Sequence, residues 1–342
     1  MASLPSEQPA IAGFLKTTFH AGPEQSSFRP EVMRWKYFSD HPDWGGTRSY
    51  VVKKDERIVA HGGVWPLHFV KAATELSVIH LIDWAASRSA TGAGVLLLRK
   101  LAGMSDVLLT IGGSPDTQAI LPKIGYRQVG EFKLHARVVR PWLQFRSTPD
   151  PSWKAPLRLL RNAMWSLPSL PALPKGWHVS RISRFDSSLE SVLHRTAPEV
   201  FTSRRTVLGL NYILSCPAAS FSAFVVSQSQ RPCGYFLLSQ VGKQTRIVDL
   251  HVESEDSEAW MAACILAERT AAEIPETCEI VAGFSMGQVN EVFGQMGFRL
   301  RESMPVLCYD PKKLLDAGSA LNVSLLDGDA CFIADPRNPY LT

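Results

Sequence analysis

The residues with the clearest potential for chemistry lie in a loop of small residues that contains Gly92 and Gly94. The loop follows an apolar, β-branched run over 78–86, which predicts a buried strand, and it precedes a helical pattern of apolar residues over 95–104. The first N–H groups of a helix lack partners within the helix, and glycine lets a ligand approach the backbone closely. The pattern therefore indicates an anion-binding turn. The alternative is a turn whose small residues serve only close packing.

Titratable side chains in the neighbouring apolar runs are candidates for acid–base chemistry. Asp83 lies within the run 78–86, so its carboxylate must find a partner or have a raised pKa, which would suit a general base. His61, His68 and His80 are further candidate bases, because imidazole titrates near neutral pH. For each of these residues the alternative is a hydrogen-bonded structural side chain.

Helical and strand patterns that alternate along the first half must position these residues. Two helices are predicted first, then a hairpin and two more strands, and after the loop and its helix a strand, a short helix and a last strand. Apart from the helix at 95–104, the predicted helices span 11–20, 30–38 and 116–123. The predicted strands span 49–53, 57–65, 67–70, 75–86, 107–111 and 128–139.

This order of elements, over roughly residues 10–140, resembles the GCN5-related N-acetyltransferase (GNAT) superfamily. In that family a strand with a bulge leads into an Arg/Gln-x-x-Gly-x-Gly/Ala loop that holds the pyrophosphate of acyl-CoA. Residues 89–94 match this loop with Ser89 in the Arg/Gln place, while Arg88 lies one position early. Gly125 and Tyr126 match the Gly-Phe/Tyr signature that closes the family's short helix.

The resemblance implies an α/β fold with a mixed sheet and acetyl-CoA, or another acyl-CoA, as cofactor. It implies backbone contacts from the strand to the pantetheine arm and a loop that faces the pyrophosphate. An acceptor side is also expected, at His41, Trp44, Trp65 and His68. The strand residues are Trp84, Ala85 and Ala86, and the loop residues are Arg88, Ser89, Thr91, Gly92, Ala93 and Gly94.

One position departs from the family pattern. The family often has a tyrosine four residues before the glycine of the closing signature, where it protonates the CoA thiolate. That position is Leu121 here, and Phe293 in the second half. Either another group or water supplies the proton, or no transfer occurs.

The second half repeats features of the first. Tyr37 recurs as Tyr212, a displacement of 175 residues, and the run 57–61 aligns with 231–235 at a displacement of 174. Asp83 has a counterpart in Asp249, which favours a structural role for both. A repeat this long indicates a domain duplication. We predict a GNAT domain at 1–140, a connector at 141–175 and a degenerate GNAT-like domain at 176–342.

The second copy differs where the anion-binding loop should be. Residues 253–258 contain no glycine and carry four carboxylates, which would repel a polyanionic ligand. The cofactor is therefore expected in the first domain alone. The tail from residue 311 onward carries no recognised motif and is expected to pack on the second domain.

Composition narrows the class of protein. Hydrophobic content of 45% and charged content of 20% are typical of a globular protein, and no apolar run is long enough to cross a bilayer. The amino terminus lacks a signal-peptide pattern, so a cytoplasmic location is expected. The six cysteines have neither zinc-site nor disulfide spacing, so no metal is predicted.

Positive charge is concentrated between residues 137 and 184, which hold nine Lys or Arg and one acid. The rest of the chain is net negative, so no nucleic acid is expected as a partner. Residues 154–165 form an amphipathic helical pattern within the basic, proline-rich connector. This helix is either a connector packed across both domains or a contact for an anionic membrane surface or a partner.

The leading functional hypothesis is an acyltransferase that moves an acetyl group from acetyl-CoA to an amine or hydroxyl of a small molecule, sugar or peptide. A non-catalytic GNAT-like binding or scaffold protein is the first alternative, because the tyrosine is absent. An aminoacyl-tRNA-dependent transferase is the second, and only the basic connector favours it. The oligomeric state is left open.

Overall fold

The computed structural model of the protein describes residues 1–22, 25–149, 153–193, 199–315 and 320–342. Residues 150–152 of the predicted connector lie outside the described residues. The elements of the first half are α1 (Gln8–Thr18), α2 (Pro30–Tyr37), β1 (Ser49–Lys54), β2 (Arg57–Lys71), β3 (Thr74–Ala86), α3 (Ala93–Ala102), β4 (Val107–Ile111), α4 (Pro115–Ile120) and β5 (Arg127–Val138).

The connector contains two helices, and the second half repeats the pattern of the first. The ranges are α5 (Pro141–Arg146), α6 (Ala155–Ser166), β6 (Trp177–Ile182), α7 (Glu190–Leu193), β7 (Val200–Ser203), α8 (Val207–Leu214), β8 (Ser220–Gln228), β9 (Arg231–Val241), β10 (Gln244–Val252), α9 (Ser257–Glu273), β11 (Glu279–Phe284), α10 (Gly287–Gln295), β12 (Arg299–Tyr309) and β13 (Ala320–Asn322). The two predicted strands 57–65 and 67–70 form one strand, β2, because Pro66 continues the extended backbone paired with β3.

All these strands belong to one mixed sheet of 13 strands. Its order is β13-β7-β2-β3-β4-β12-β5-β11-β10-β9-β8-β6, with β1 paired to β2. The neighbours β3 and β4 are parallel, as are β10 and β11, while the hairpins are antiparallel. The predicted α/β class with a mixed sheet is confirmed.

The two halves exchange their last long strands. Strand β12 of the second half lies between β4 and β5 of the first, and β5 lies between β12 and β11. Arg137, near the end of β5, donates to the carbonyl of Met296 at 2.6 Å and lies 3.5 Å from the Glu268 carboxylate, both in the second half. Each half therefore completes the sheet of the other.

Helices cover the sheet over three buried apolar clusters, of which one underlies α3 and another underlies α9. The largest cluster joins α1 and α2 to the tail, where Phe332 packs against Trp35 and Trp65. The tail therefore lies across both halves, whereas the sequence pattern placed it on the second alone. No helix among the described ranges is long and apolar enough to cross a membrane.

Candidate functional site

A cleft opens in the first half where β3 and β4 separate. The two strands pair only over 78–80 and 107–109, and their carboxyl-terminal ends then diverge. Two adjoining cavities fill the gap: an outer chamber of about 860 Å³ beside α1 and α3, and an inner chamber of about 310 Å³ beside the tail. Both chambers are lined by Phe19, Trp84, Ser114 and Thr117, so they form one continuous cleft.

A β-bulge shapes the strand that lines both chambers. His61 pairs with Ala85 and Gly63 pairs with Ile82, so Asp83 and Trp84 together oppose the single residue Gly62. Asp83 has a φ of +46°, a left-handed conformation that is uncommon outside glycine. The Trp84 indole donates to the carbonyl of Gly94 at 3.2 Å, which links the strand to the start of α3.

The loop before α3 is open to the outer chamber. Gly92 has a φ of +85° in open space, and a Cβ at Gly94 would lie 3.1 Å from the Cβ of Ala86. The first glycine is therefore needed for the turn and the second for close packing on β3. Of the predicted cofactor-binding residues, Trp84, Ala85, Ala86, Arg88, Gly92 and Gly94 line the chamber, whereas Ser89 and Thr91 are exposed beside it and Ala93 is buried.

Asp83 belongs to a buried charge cluster at the wall of the inner chamber. Lys36, whose side chain is 1% exposed, forms ion pairs with Asp83 and, at 2.5 Å, with Asp329 from the tail. The Tyr37 hydroxyl also donates to Asp83. Burial alone would raise the pKa of Asp83, but Lys36 holds it below its usual value. Burial does raise the pKa of Asp329, and Lys36 offsets this only in part.

The candidate histidines are held in place by hydrogen bonds. The Nδ1 of His61 donates to the Asp83 carbonyl at 2.9 Å, and its Nε2 lies 3.0 Å from the Ser49 hydroxyl. His61 is fully buried and does not line either chamber, so no substrate could reach it. His80 does line the inner chamber, and its Nδ1 donates to the Asp327 carbonyl at 2.7 Å. Burial lowers the pKa of both imidazoles.

The predicted acceptor residues lie away from this cleft. His41, Trp65 and His68 line a separate cavity of about 50 Å³ beside Arg204 and Arg205. Burial lowers the pKa of His41 to about 3. Trp44 packs on the cluster under α3 and donates to the carbonyl of Thr47 at 3.0 Å. The structure therefore does not bring these four residues to the continuous cleft.

The second half has a matching cleft of about 720 Å³, where β10 and β11 diverge after residues 247 and 282. Glu253 and Glu255 line the place that corresponds to the glycine-containing loop. Asp249 is paired with Arg205 at 2.9 Å, and Arg205 also binds Asp327 of the tail at 2.6 Å. This second charge cluster is sealed, with every side chain at most 6% exposed.

Sequence reasoning missed Lys36 and Asp329 as parts of the site. A buried aspartate such as Asp83 is usually paired with a cation, and Lys36 lies in a predicted helix. However, the sequence does not distinguish Lys36 from several other lysines and arginines that could form this pair. Asp329 is separated from Lys36 by 293 residues. No local pattern in the tail connects it with the first half.

Comparison with known proteins adds evidence at the level of the fold. No family model matches this chain, and no curated protein sequence matches it. A GCN5-related N-acetyltransferase from Anabaena variabilis has a similar structure, with 10% identity, 91% of this chain and 72% of that chain covered, and a TM-score of 0.60. A GCN5-related N-acetyltransferase from Kribbella flavida is 12% identical to this chain. The alignment covers 90% of this chain and 69% of that chain, with a TM-score of 0.53.

A tandem GNAT protein from the clavulanic acid biosynthesis pathway aligns over 90% of this chain and 96% of its own length, with 12% identity and a TM-score of 0.56. The coverage of both chains agrees with the two sheet halves and two clefts described above. The predicted resemblance is confirmed for the fold, and the chain therefore has the tandem fold of the GCN5-related N-acetyltransferases.

Proposed function

We propose that the protein is an acyl-CoA-dependent acyltransferase that moves an acetyl group from acetyl-CoA to an amine or hydroxyl. The continuous cleft is the observation that carries the proposal, because it joins an anion-accepting loop to a chamber that contains a carboxylate. Residues 1–140 would hold the acyl-CoA. Acetyl-CoA supplies an activated acyl group, and the acceptor would be part of a small molecule, sugar or peptide.

The first cleft fits a pyrophosphate and a long apolar arm. Helix α3 begins directly after Gly92, so the positive end of its dipole lies at the loop, and Arg88 adds a positive charge at the rim of the outer chamber. Residues 84–86 line the same chamber, and Trp84 also lines the inner one. These residues would bind and orient the acyl donor, which is where most of the rate enhancement in acyl transfer to an amine can arise.

Asp329 is the residue that we propose as general base. Its carboxylate lines the inner chamber, and burial raises its pKa toward the range where it can accept a proton from an incoming ammonium or hydroxyl group. Lys36 fixes its position through the ion pair and is held in turn by Asp83. Asp83 itself, with a lowered pKa, would act as a positioning residue.

The leaving thiolate needs a proton donor other than the family's tyrosine. Leu121, at the position of that tyrosine, is fully buried and has no proton to donate. Ser114 and Thr117 line both chambers, and their hydroxyls lie 3.1 Å apart. We propose that these hydroxyls hydrogen-bond to the thiolate at the junction of the chambers and that water supplies the proton that converts it to the thiol.

Calorimetric titration with acetyl-CoA tests the binding half of this proposal. We expect micromolar binding by the wild type, a loss of about tenfold or more in Arg88→Glu, and a change below about twofold in Arg99→Glu. Arg99 is the matched control, because it is an exposed arginine on α3 that does not line the cleft. Absence of binding by the wild type, or equal effects in the two variants, would contradict the proposal.

A non-catalytic acyl-CoA-binding protein is the second candidate, and the buried Leu121 and Phe293 favour it. Release of free thiol from acetyl-CoA, measured against a panel of amines, alcohols and peptides, separates the two. Acceptor-dependent release that is lost in Asp329→Asn supports the enzyme. Tight binding of acetyl-CoA with no acceptor-dependent release supports the binding protein.

A further inference from the structure

Helix α6 of the connector carries a continuous apolar stripe that faces away from the protein. Leu157, Leu160 and Met164 are 62–63% exposed, and the stripe continues through Trp153 at 80% before the helix and Leu167 at 79% after it. The spacing of four, three, four and three residues keeps all five side chains on one side over four turns. Burial in the protein therefore does not explain the apolar character of this side.

The one residue of α6 that is buried against the protein is polar. Asn162 is 2% exposed and donates to the side chain of Gln144, itself buried, at 2.8 Å. This arrangement inverts the usual pattern, in which a surface helix turns its apolar stripe toward the core. The hydrogen bond fixes the rotation of the helix and so keeps the stripe directed outward.

Several cations lie close to tryptophan rings in and around the connector. Lys154 lies 5.3 Å from the ring of Trp153, Arg146 lies 5.8 Å from that of Trp142, and Arg161 lies 4.3 Å from that of Trp165. Arg299 and Arg301 also approach Trp165, each at 5.7 Å. Helix α6 contains no acidic residue.

We propose that α6 docks the protein on an anionic phospholipid surface, with its axis parallel to the surface. The five apolar side chains would enter the headgroup–acyl boundary. The tryptophans would lie at the level of the headgroups, and the flanking cations would contact the lipid phosphates. Charge favours this occupant over a second copy of the chain, because two α6 helices packed together would bring their arginines and lysines close without any acidic partner from either helix.

Vesicle flotation tests the proposal with the full-length protein. We expect the wild type to float with phosphatidylcholine–phosphatidylserine vesicles (about 3:1) at low salt and to lose most of this binding in high salt or with pure phosphatidylcholine. Leu160→Glu and Met164→Glu should each lower the partition coefficient about tenfold or more, because a carboxylate replaces an inserted apolar group. Leu208→Glu, which changes a 65% exposed leucine on α8, is the matched control and should float as the wild type does.

Three results would overturn the proposal. The first is no flotation of the wild type with anionic vesicles at low salt. The second is an equal loss of flotation in Leu208→Glu. The third is a wild-type dimer in sedimentation equilibrium that Leu160→Glu converts to monomer, because the stripe would then be covered by a second copy. Circular dichroism and thermal unfolding of each variant exclude loss of fold as the cause, and none of these residues lines the acyl-CoA cleft.

Discussion

The two charge clusters beneath the two clefts each contain one cation between two carboxylates, and they differ in their exposure to solvent. In the first half Lys36 joins Asp83 to Asp329, and in the second Arg205 joins Asp249 to Asp327. Each cluster thus consists of a strand carboxylate, a cation and a tail carboxylate. The side chain of Asp329 keeps 16% exposure toward the inner chamber, whereas that of Asp327 keeps 1%.

The loops above the clusters differ as well. The first half offers small residues and a glycine with a left-handed conformation, and the second offers Glu253 and Glu255. The charge network is therefore present in both halves, while an accessible carboxylate and a glycine-containing loop occur together only in the first, among the described residues. Four variants can sharpen or break this comparison.

The largest effect is expected from Arg205→Met. The substitution leaves Asp249 and Asp327 buried without their cation and should lower the free energy of unfolding by about 3–5 kcal/mol. Urea unfolding measures it. Arg204→Ala, which removes a partly exposed arginine paired with Glu75 at 2.8 Å, should cost under about 1 kcal/mol. Similar losses in both variants would refute a sealed structural cluster.

Asp329→Asn should act on rate and not on binding of the donor. We expect kcat to fall about 100-fold or more, with little change in the KM for acetyl-CoA, because the variant lacks the carboxylate that we propose as proton acceptor. Since a base works deprotonated, wild-type kcat should fall as pH drops through the raised pKa of Asp329, and the variant should lose this limb. Asp335→Asn, an exposed tail carboxylate, is the control. An unchanged acid limb in Asp329→Asn would assign the base elsewhere.

Thr91→Glu introduces a carboxylate into the loop of the first half, at the place where the second half carries Glu253 and Glu255. The exposed position tolerates the side chain, and we expect the Kd for acetyl-CoA to rise about tenfold through repulsion of the pyrophosphate. Thr74→Glu makes the same chemical change at the exposed first residue of β3, at the opposite end of that strand from the loop, and should leave the Kd unchanged. If calorimetry shows the same Kd for both variants, charge at the loop does not account for a difference in acetyl-CoA binding between the two clefts.

The smallest effect concerns acid stability. Burial lowers the pKa of His61 in the folded protein, so below about pH 6.5 the unfolded chain binds the proton more readily and stability falls. Tyr235 is the counterpart of His61 in the second half and has no imidazole. As the pH is lowered from 7 to 5.5, the free energy of unfolding of His61→Gln should fall by about 1 kcal/mol less than that of the wild type. The free energy of unfolding of Tyr235→Phe should fall by the same amount as that of the wild type. Parallel pH profiles for all three proteins would contradict this.

Much of the fold was predictable because its signals are local or periodic. The strand, loop and helix over 78–104 follow from β-branched residues, two glycines and helical spacing, and the repeat follows from features displaced by about 175 residues. Six of the nine residues that the resemblance assigns to the cofactor line the outer chamber, since they are contiguous with that local unit.

Non-local features were not predictable in the same way. Strand β5 has an ordinary apolar alternation, and nothing in it specifies β11 and β12 as neighbours in place of β4. The positions of His41, Trp65 and His68, which were predicted on the acceptor side, also depend on tertiary packing, and all three line a separate cavity. Asp329 enters the first cleft only because the tail crosses both halves, which depends on tertiary packing.

The exchange of β5 and β12 has a consequence for synthesis of the chain. When the ribosome has made the first 175 residues, β4 lacks β12 and β5 lacks both of its neighbours, so open strand edges persist until residue 309 is released. We expect a fragment 1–175 to aggregate when expressed alone, and its recovery as a stable monomer that binds acetyl-CoA would disprove this. Because these pairings have high contact order, folding should be slow, and the first cleft should form only after β12 and the tail have been synthesised.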